Sequence, residues 1–393
     1  MQAKAWGAGA VLAAAFFVGA GGVHEARAAA FEFSGWIPYW REDAGVADVK
    51  KNLDKLHEIN PFGYIVQTDG TVHDAMGIAD EPWRSLIAEA KKKKVRVVPT
   101  VMWSDTEAMH RILSNQETRI KLAEDITAIA VNEGFDGIDI DFEGKRAETK
   151  DYFSTFLKGL YQRMGKKWVM CTIEARTPIS SRYEDTPPKD AGRYANDFAA
   201  INKYCDRVRI MTYDQGTIDV KLNAAAKSVP YVPIADPRWI EKVVAETAKS
   251  IKKSKIVVGV ASYGYEYEVT PLTQSGYRYA RQWSFNPGYA AEIIVKHGLV
   301  PQRSLSGEMT VSYLSAIKPA SPTSNTSPLP EPFSAAAAPA AVAAATIPFN
   351  LLVWSDATAI KQKVDLARKL GVRGVAVFKL DGGQDPNLWS VLR

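Results

Sequence analysis

The sequence predicts an α/β fold, a TIM-type (β/α)8 barrel with a small α+β insertion between its seventh strand and its last helix. Three observations predict it. Eight short runs rich in β-branched and aromatic residues alternate with longer runs of helical period, the order of parallel strands joined by crossover helices. No glycine-rich phosphate turn follows the first strand, which disfavours an open doubly wound sheet. Polar or aromatic residues (Tyr39, Trp103, Glu143, Tyr213, Asp214 and Phe378) fall at the C-terminal ends of strands, where barrels of this kind gather their chemistry.

Taken in order, Phe33–Trp40 opens the barrel and a helix is predicted over Val46–Ile59. Strand Gly63–Gln67, helix Trp83–Lys93, strand Val95–Trp103 and helix Glu117–Asn132 follow by their periodicity. The fourth strand is Phe135–Glu143, succeeded by helix Ala147–Met164, strand Trp168–Ile173, helix Tyr194–Tyr204 and strand Arg207–Tyr213. Helix Trp239–Ile251 and strand Lys255–Ala261 come next; helix Ala357–Leu370 and strand Val372–Phe378 close the ring. The insertion, residues 263–356, carries Tyr263, Tyr265, Tyr267 and Trp283, an amphipathic helix Tyr289–His297, and a predicted hairpin of Met309–Leu314 with Phe349–Trp354. Its tip, 318–348, is Pro/Ser/Thr- then Ala-rich with almost no large apolar residue, and is predicted to be a disordered loop.

At the N-terminus, Lys4 precedes the apolar run Ala5–Val23 and then Ala26-Arg27-Ala28. That is the pattern of a signal peptide over 1–28, leaving the barrel to 29–393 and placing it in the cell envelope, periplasm or medium. The run is also just long enough to span a bilayer, so an uncleaved anchor is the alternative. A net charge of +5 over 393 residues, with no basic cluster interleaved with aromatics, argues against nucleic acid as a partner. The expected assembly is a monomer. The only two cysteines, Cys171 and Cys205, cannot build a disulfide framework and read as buried free thiols, with a single bridge as the alternative.

The chemistry concentrates in Phe135-Asp136-Gly137-Ile138-Asp139-Ile140-Asp141-Phe142-Glu143. Side chains alternate across a strand, so Asp139, Asp141 and Glu143 share one face and Ile138, Ile140 and Phe142 the other. Folding alone does not choose three carboxylates on one face of a buried strand. Close acids drive their pKa values apart, so one can hold a proton near neutrality while a neighbour is ionised, as acid catalysis on a glycosidic bond requires. A calcium-like site is the bland alternative, but an apolar-flanked strand is not a flexible ligand loop, and neither metal nor cofactor is expected. Asp136 has the wrong parity for the acidic face; a bulge at Gly137 would bring it round.

The spacing Asp136-x-x-Asp139-x-Asp141-x-Glu143 resembles the signature of glycoside hydrolase family 18, the chitinase and endo-N-acetylglucosaminidase family. Ile210-Met211-Thr212-Tyr213-Asp214 is similar to its sixth strand, and the closing segment from Val353 to Phe378 resembles its spore-germination and cell-wall branch. The resemblance implies that Glu143 is the general acid and that Asp141 holds the substrate's 2-acetamido group, whose carbonyl attacks the anomeric carbon. It implies that Asp139 shares a proton or hydrogen bond with Asp141, and that Tyr213 donates to the acetamido oxygen. Asp214, Met211, Tyr39, Trp103 and Phe378 are then substrate-binding, with Asp136 in support. The family usually places Trp where this chain has Phe378, which removes ring area and the indole N–H and weakens the case for chitin. The implied activity is a retaining glycosidase acting on β-linked N-acetylhexosamine glycans such as peptidoglycan or chitin. The alternatives are a non-catalytic carbohydrate-binding barrel of the envelope and an envelope structural protein whose insertion makes contacts.

Overall fold

The computed structural model describes residues 30–226, 229–272, 276–314 and 347–392. The signal segment predicted over 1–28, and all but the last two residues of the predicted 318–348 loop, lie outside the described residues. Eight parallel strands form the barrel: Glu32–Pro38, Glu58–Val66, Thr100–Trp103, Gly137–Phe142, Trp168–Glu174, Arg207–Met211, Ile256–Ala261 and Gly374–Phe378. They pair in chain order, and the first also pairs with the eighth, which closes the ring. The third strand is interrupted at Pro99, which has no N–H for a ladder; Arg96–Val97 pairs separately with the second strand.

Each alternation in the sequence becomes a choice of layer. On the fourth strand, Ile138, Ile140 and Phe142 join the apolar layer between strands and helices, where Phe142 stacks on Phe156 at 5.4 Å. Their sequence neighbours face inward. Most helices lie near their predicted spans, and Ala357–Leu370 matches residue for residue. The helix predicted over Val46–Ile59 is instead Glu42–Lys51 plus a 3-10 turn, Leu53–Lys55, because the buried run from Glu58 onward is already the second strand. The helix predicted over Tyr194–Tyr204 shortens to Phe198–Tyr204, where the Asp197 side chain caps its first N–H groups. A helix not predicted, Thr106–Ser114, is capped by Asp105, which accepts from Ala108 N–H at 2.9 Å.

The predicted hairpin forms, with Met309–Leu314 antiparallel to Phe349–Trp354. Gly264–Pro271, Tyr277–Phe285 and Gln302–Arg303 extend it to a five-stranded sheet flanked by helix Pro287–His297. Buried Glu308 ties this sheet to the barrel, accepting from the N–H groups of Ile234 and Ala235 and pairing with Lys363 Nζ at 2.7 Å. Among the described residues no helix is long and apolar enough to cross a membrane.

The cysteines correct the reading of free thiols. Cys171 lies in the fifth strand and Cys205 just ahead of the sixth; adjacent in the ring, they form a disulfide with Cα atoms 5.9 Å apart. The bond closes a loop 34 residues apart in sequence, so the Cys171→Ala/Cys205→Ala variant is expected to lose about 2–5 kcal/mol. Urea unfolding measures this, and an unchanged midpoint would refute the bond.

Candidate active site

The barrel interior is built in layers, and strand register sets them. Asp139 aligns with Thr100 on the third strand; Asp141 aligns with Met102 on the third strand and Thr172 on the fifth. Asp139 is fully buried and anchored on all sides. Trp36 Nε1 donates to it at 3.1 Å, Thr100 Oγ1 at 2.9 Å and Thr172 Oγ1 at 2.9 Å, and Arg209 Nη1 lies 2.9 Å from Oδ1. These partners fill a carboxylate's acceptor positions. Asp139 makes no hydrogen bond to Asp141, contrary to the sharing implied by the resemblance.

Asp141, one layer higher, is 4% exposed and its Oδ1 has no hydrogen-bond partner among the described residues. Burial, then the negative charges of Glu143, Asp139 and Glu174, push its pKa well above the usual carboxylate range. Glu143 stands one residue past the strand end, half-buried, its N–H donating to Trp103 O at 2.8 Å. Burial and then the Glu174 carboxylate push its pKa up to about 7, against the opposing pull of Lys145. A carboxyl in that range is protonated in a large fraction of molecules near neutrality and can give that proton to a leaving oxygen.

Glu174 and Lys145 are site residues that the sequence reading missed. Extending the register of Asp141 with Thr172 by two residues sets Glu174 beside Glu143, and adjacent strands lie about 4.8 Å apart. Despite burial, which raises it, the Glu174 pKa is held down by Lys145 Nζ at 3.7 Å and by N–H donors from Asn196 and Gly144 at 2.8 and 2.9 Å. Lys145 is buried, donates to Phe142 O and lies over the Phe153 ring. The signal was available, since Glu174 ends the fifth strand much as Glu143 follows the end of the fourth.

Tyr213 is 9% exposed, and burial and the Asp141 charge drive its pKa well up, so its hydroxyl remains a donor. Its close approach to the seventh strand requires Gly259, where a Cβ would fall 2.9 Å from the Tyr213 ring and 2.6 Å from Ile210 O. Phe378 stacks on Tyr213 at 5.7 Å and meets Trp36, Phe62 and Tyr263 edge-on, an aromatic floor in which Met211 and Met102 also pack. Asp214 adopts a left-handed backbone (φ 57°), and Tyr263 O–H donates to its Oδ1 at 2.6 Å. A non-glycine residue held there is a feature that clusters at functional sites.

Three predicted site residues lie elsewhere. Trp103 is 1% exposed and packs edge-on against Phe142 in the outer apolar layer, because its parity is opposite to that of Thr100 and Met102. Tyr39 packs on the outer core, while its neighbour Trp40 contacts Phe62 on the inner side. Asp136 sits exposed ahead of the fourth strand and accepts from Val97 N–H at 2.8 Å. Seven residues of strand put it about 23 Å from Glu143 along the chain, at the opposite end of the barrel. No group of three or more His, Cys, Asp or Glu among the described residues is arranged to hold a metal ion.

An inward row of acids ending in a carboxyl poised near neutrality, beside a tyrosine hydroxyl and an aromatic floor, defines a sugar-cleaving barrel hydrolase. The chain belongs to the glycosyl hydrolases family 18, whose family model matches residues 36–383. It is 24% identical over 353 residues to the Bacillus subtilis (strain 168) glycosylase YvbX, covering 87% of each chain. It is 26% identical over 231 residues to the cortical fragment-lytic enzyme of the same organism, 56% of this chain and 48% of that one. The fold superposes on the Bacillus megaterium QM B1551 spore cortex-lytic enzyme SleL with a TM-score of 0.65 at 20% identity, covering 92% of this chain and 73% of that chain. The protein is a glycosidase of this family, similar in sequence to a cortical fragment-lytic enzyme and in fold to a spore cortex-lytic enzyme.

Proposed function

We propose that the protein is an exported, retaining glycosidase that cleaves β-linked N-acetylhexosamine glycans by substrate-assisted catalysis, with bacterial peptidoglycan favoured over chitin. The observation that carries this reading is the pair formed by protonated Glu143 and by Asp141, whose buried Oδ1 is unpartnered beside Tyr213. A carboxyl group offers an acceptor oxygen in either protonation state, so Asp141 Oδ1 takes the acetamido N–H and orients the group. The acetamido carbonyl oxygen then bonds to the anomeric carbon as the glycosidic C–O bond breaks, and the Glu143 proton goes to the leaving oxygen. Tyr213 O–H donates to the acetamido oxygen. In the second half, Glu143 carboxylate takes a proton from water, whose oxygen bonds to the anomeric carbon and reopens the ring. Two displacements at one carbon retain its configuration.

The Cys171–Cys205 disulfide supports export, since such bonds persist in oxidising compartments. The likeness to the cortical fragment-lytic enzyme and SleL supports peptidoglycan, and Phe378 in place of a larger ring supports it further. The test is release of reducing ends from purified peptidoglycan and from chitin oligomers, with the anomer of the first product read by NMR. A first product of inverted configuration would refute the mechanism, and turnover of chitin alone would refute the substrate.

Glu174 supplies a pH prediction. Its negative charge is one reason that Glu143 keeps its proton to about 7. Removing that charge in Glu174→Gln lowers the Glu143 pKa, and Lys145, left without its carboxylate, lowers it further. Activity requires the protonated acid and so falls as pH rises through this pKa. The alkaline limb of kcat/KM is therefore expected to move to lower pH, and a limb unmoved or displaced upward would exclude this role.

A further inference from the structure

Outside the exit of the fifth strand lies a cavity of about 420 Å³, lined among others by Lys150, Arg176, Arg193, Tyr194, Asn196 and Asp197. Two of its three cations are without a contact ion pair among the described residues. Arg193 is paired with Glu148, and Asp197 Oδ1 is occupied by the N–H groups of Ala199 and Ala200. Lys150 and Arg176 make no contact ion pair among the described residues, and the Glu246 carboxylate acts on Arg176 only at longer range. The Arg176 guanidinium is nevertheless held in place, lying 4.3 Å over the Tyr194 ring and donating to Gly192 O at 2.6 Å. Asn196 is 4% exposed, and its Oδ1 is buried with no hydrogen-bond partner. A buried amide oxygen without a donor is costly in a folded protein unless something supplies one.

The cavity's inner wall is also the wall of the catalytic mouth. Asn196 Nδ2 donates to Glu174 Oε2 at 2.8 Å, and Tyr194 O–H donates to Glu174 O at 2.8 Å. A ligand joined to a sugar in the mouth therefore has only the strand-five exit to cross, and three or four extended peptide residues reach about 10–14 Å.

We propose that this cavity binds the acidic peptide stem of the glycan whose sugars occupy the mouth, an inference that rests on the peptidoglycan reading above. Stem carboxylates pair with Lys150 and Arg176, and a stem amide N–H donates to Asn196 Oδ1. A neutral polysaccharide offers no anion for the two cations. A phosphodiester offers no donor for the amide oxygen and would approach the Asp197 carboxylate. The site thus makes the enzyme prefer peptide-bearing strands to bare ones.

The test compares glycan strands that carry stems with the same strands stripped by an amidase, using wild type, Lys150→Gln/Arg176→Gln and Lys150→Glu. The last variant removes no hydrogen bond made within the described residues, so its folding is secure. Both variants are expected to raise KM on stem-bearing strands about five- to tenfold with kcat kept, and to leave bare strands unchanged. Equal changes on both strands, or none, would overturn the proposal. A second readout is calorimetric binding of a soluble acidic stem tetrapeptide. Binding that weakens in both variants supports the site, and no binding to wild type overturns it, whether or not either glycan is cleaved. Absence of turnover with peptide binding retained would instead strike the proposed activity.

Discussion

Glu143→Gln is expected to reduce kcat on the cleaved glycan by a factor of about 10²–10⁴, the contribution of a positioned general acid, while KM stays within about twofold. The amide keeps the shape and the hydrogen-bonding reach of the carboxyl but has no proton to give the leaving oxygen. The geometry isolates that effect. Glu143 is anchored through its backbone N–H to Trp103 O, so the substitution leaves the strand end in place. The variant should also lack the alkaline limb expected of wild type near pH 7, where the Glu143 proton is given up. Reducing-end release across pH 5 to 9 checks both, using substrate in which the wild-type rate is first established. A variant keeping more than about a tenth of the wild-type kcat would show that the proton comes from elsewhere, and Asp141, raised by burial in the same way, would be the next residue to change.

How much of this was legible in the sequence follows from what each residue depends on. The fourth strand could be read because its alternation is local: three acids and three large apolar residues at period two specify two faces without reference to any neighbour. Parity alone, however, does not say which face of the third strand looks inward. That is set by pairing with the fourth strand, where Thr100 aligns with Asp139 and Met102 with Asp141, and it puts Trp103 outside. Asp136 fails for a related reason. A signature fixes spacing along the chain, but seven residues of strand cross the whole barrel, so its first acid cannot act where its last one does. Lys145 and Arg209 were invisible because each acts through a partner distant in sequence, Lys145 through Glu174 and Arg209 through Glu58 and Asp139; Glu174 stood at a strand end, but its pairing with Asn196 was equally out of sight. The disulfide belongs with them, as its cysteines meet only because their strands are neighbours in the ring.

Arg209→Met is expected to destabilise the fold by about 3–5 kcal/mol, the cost of removing one partner from a buried ionic cluster. Arg209 is 1% exposed at the centre of the barrel, paired with Glu58 below and Asp139 above, its guanidinium 5.6 Å from the Trp36 ring centre. Its removal leaves Glu58 with Arg96 as its remaining cation and Asp139 with only the neutral donors Trp36, Thr100 and Thr172. Urea denaturation of the single variants and of Arg209→Met/Asp139→Asn measures the coupling. If the pair acts as a unit, the double variant loses less than the sum of the singles by more than about 0.5 kcal/mol, and strict additivity would dissolve the cluster. Catalysis should register the same change. In the proposed mechanism Asp139 supports Asp141 by being fixed beside it, so a carboxylate freed from Arg209 could turn toward Asp141 and compete for the oxygen proposed to receive the acetamido N–H. Arg209→Lys, which restores a cation without the planar fork, should recover part of the stability and less of the rate. On this mechanism the precision of the site depends on Arg209, a buried cation that reaches the proposed chemistry only through Asp139.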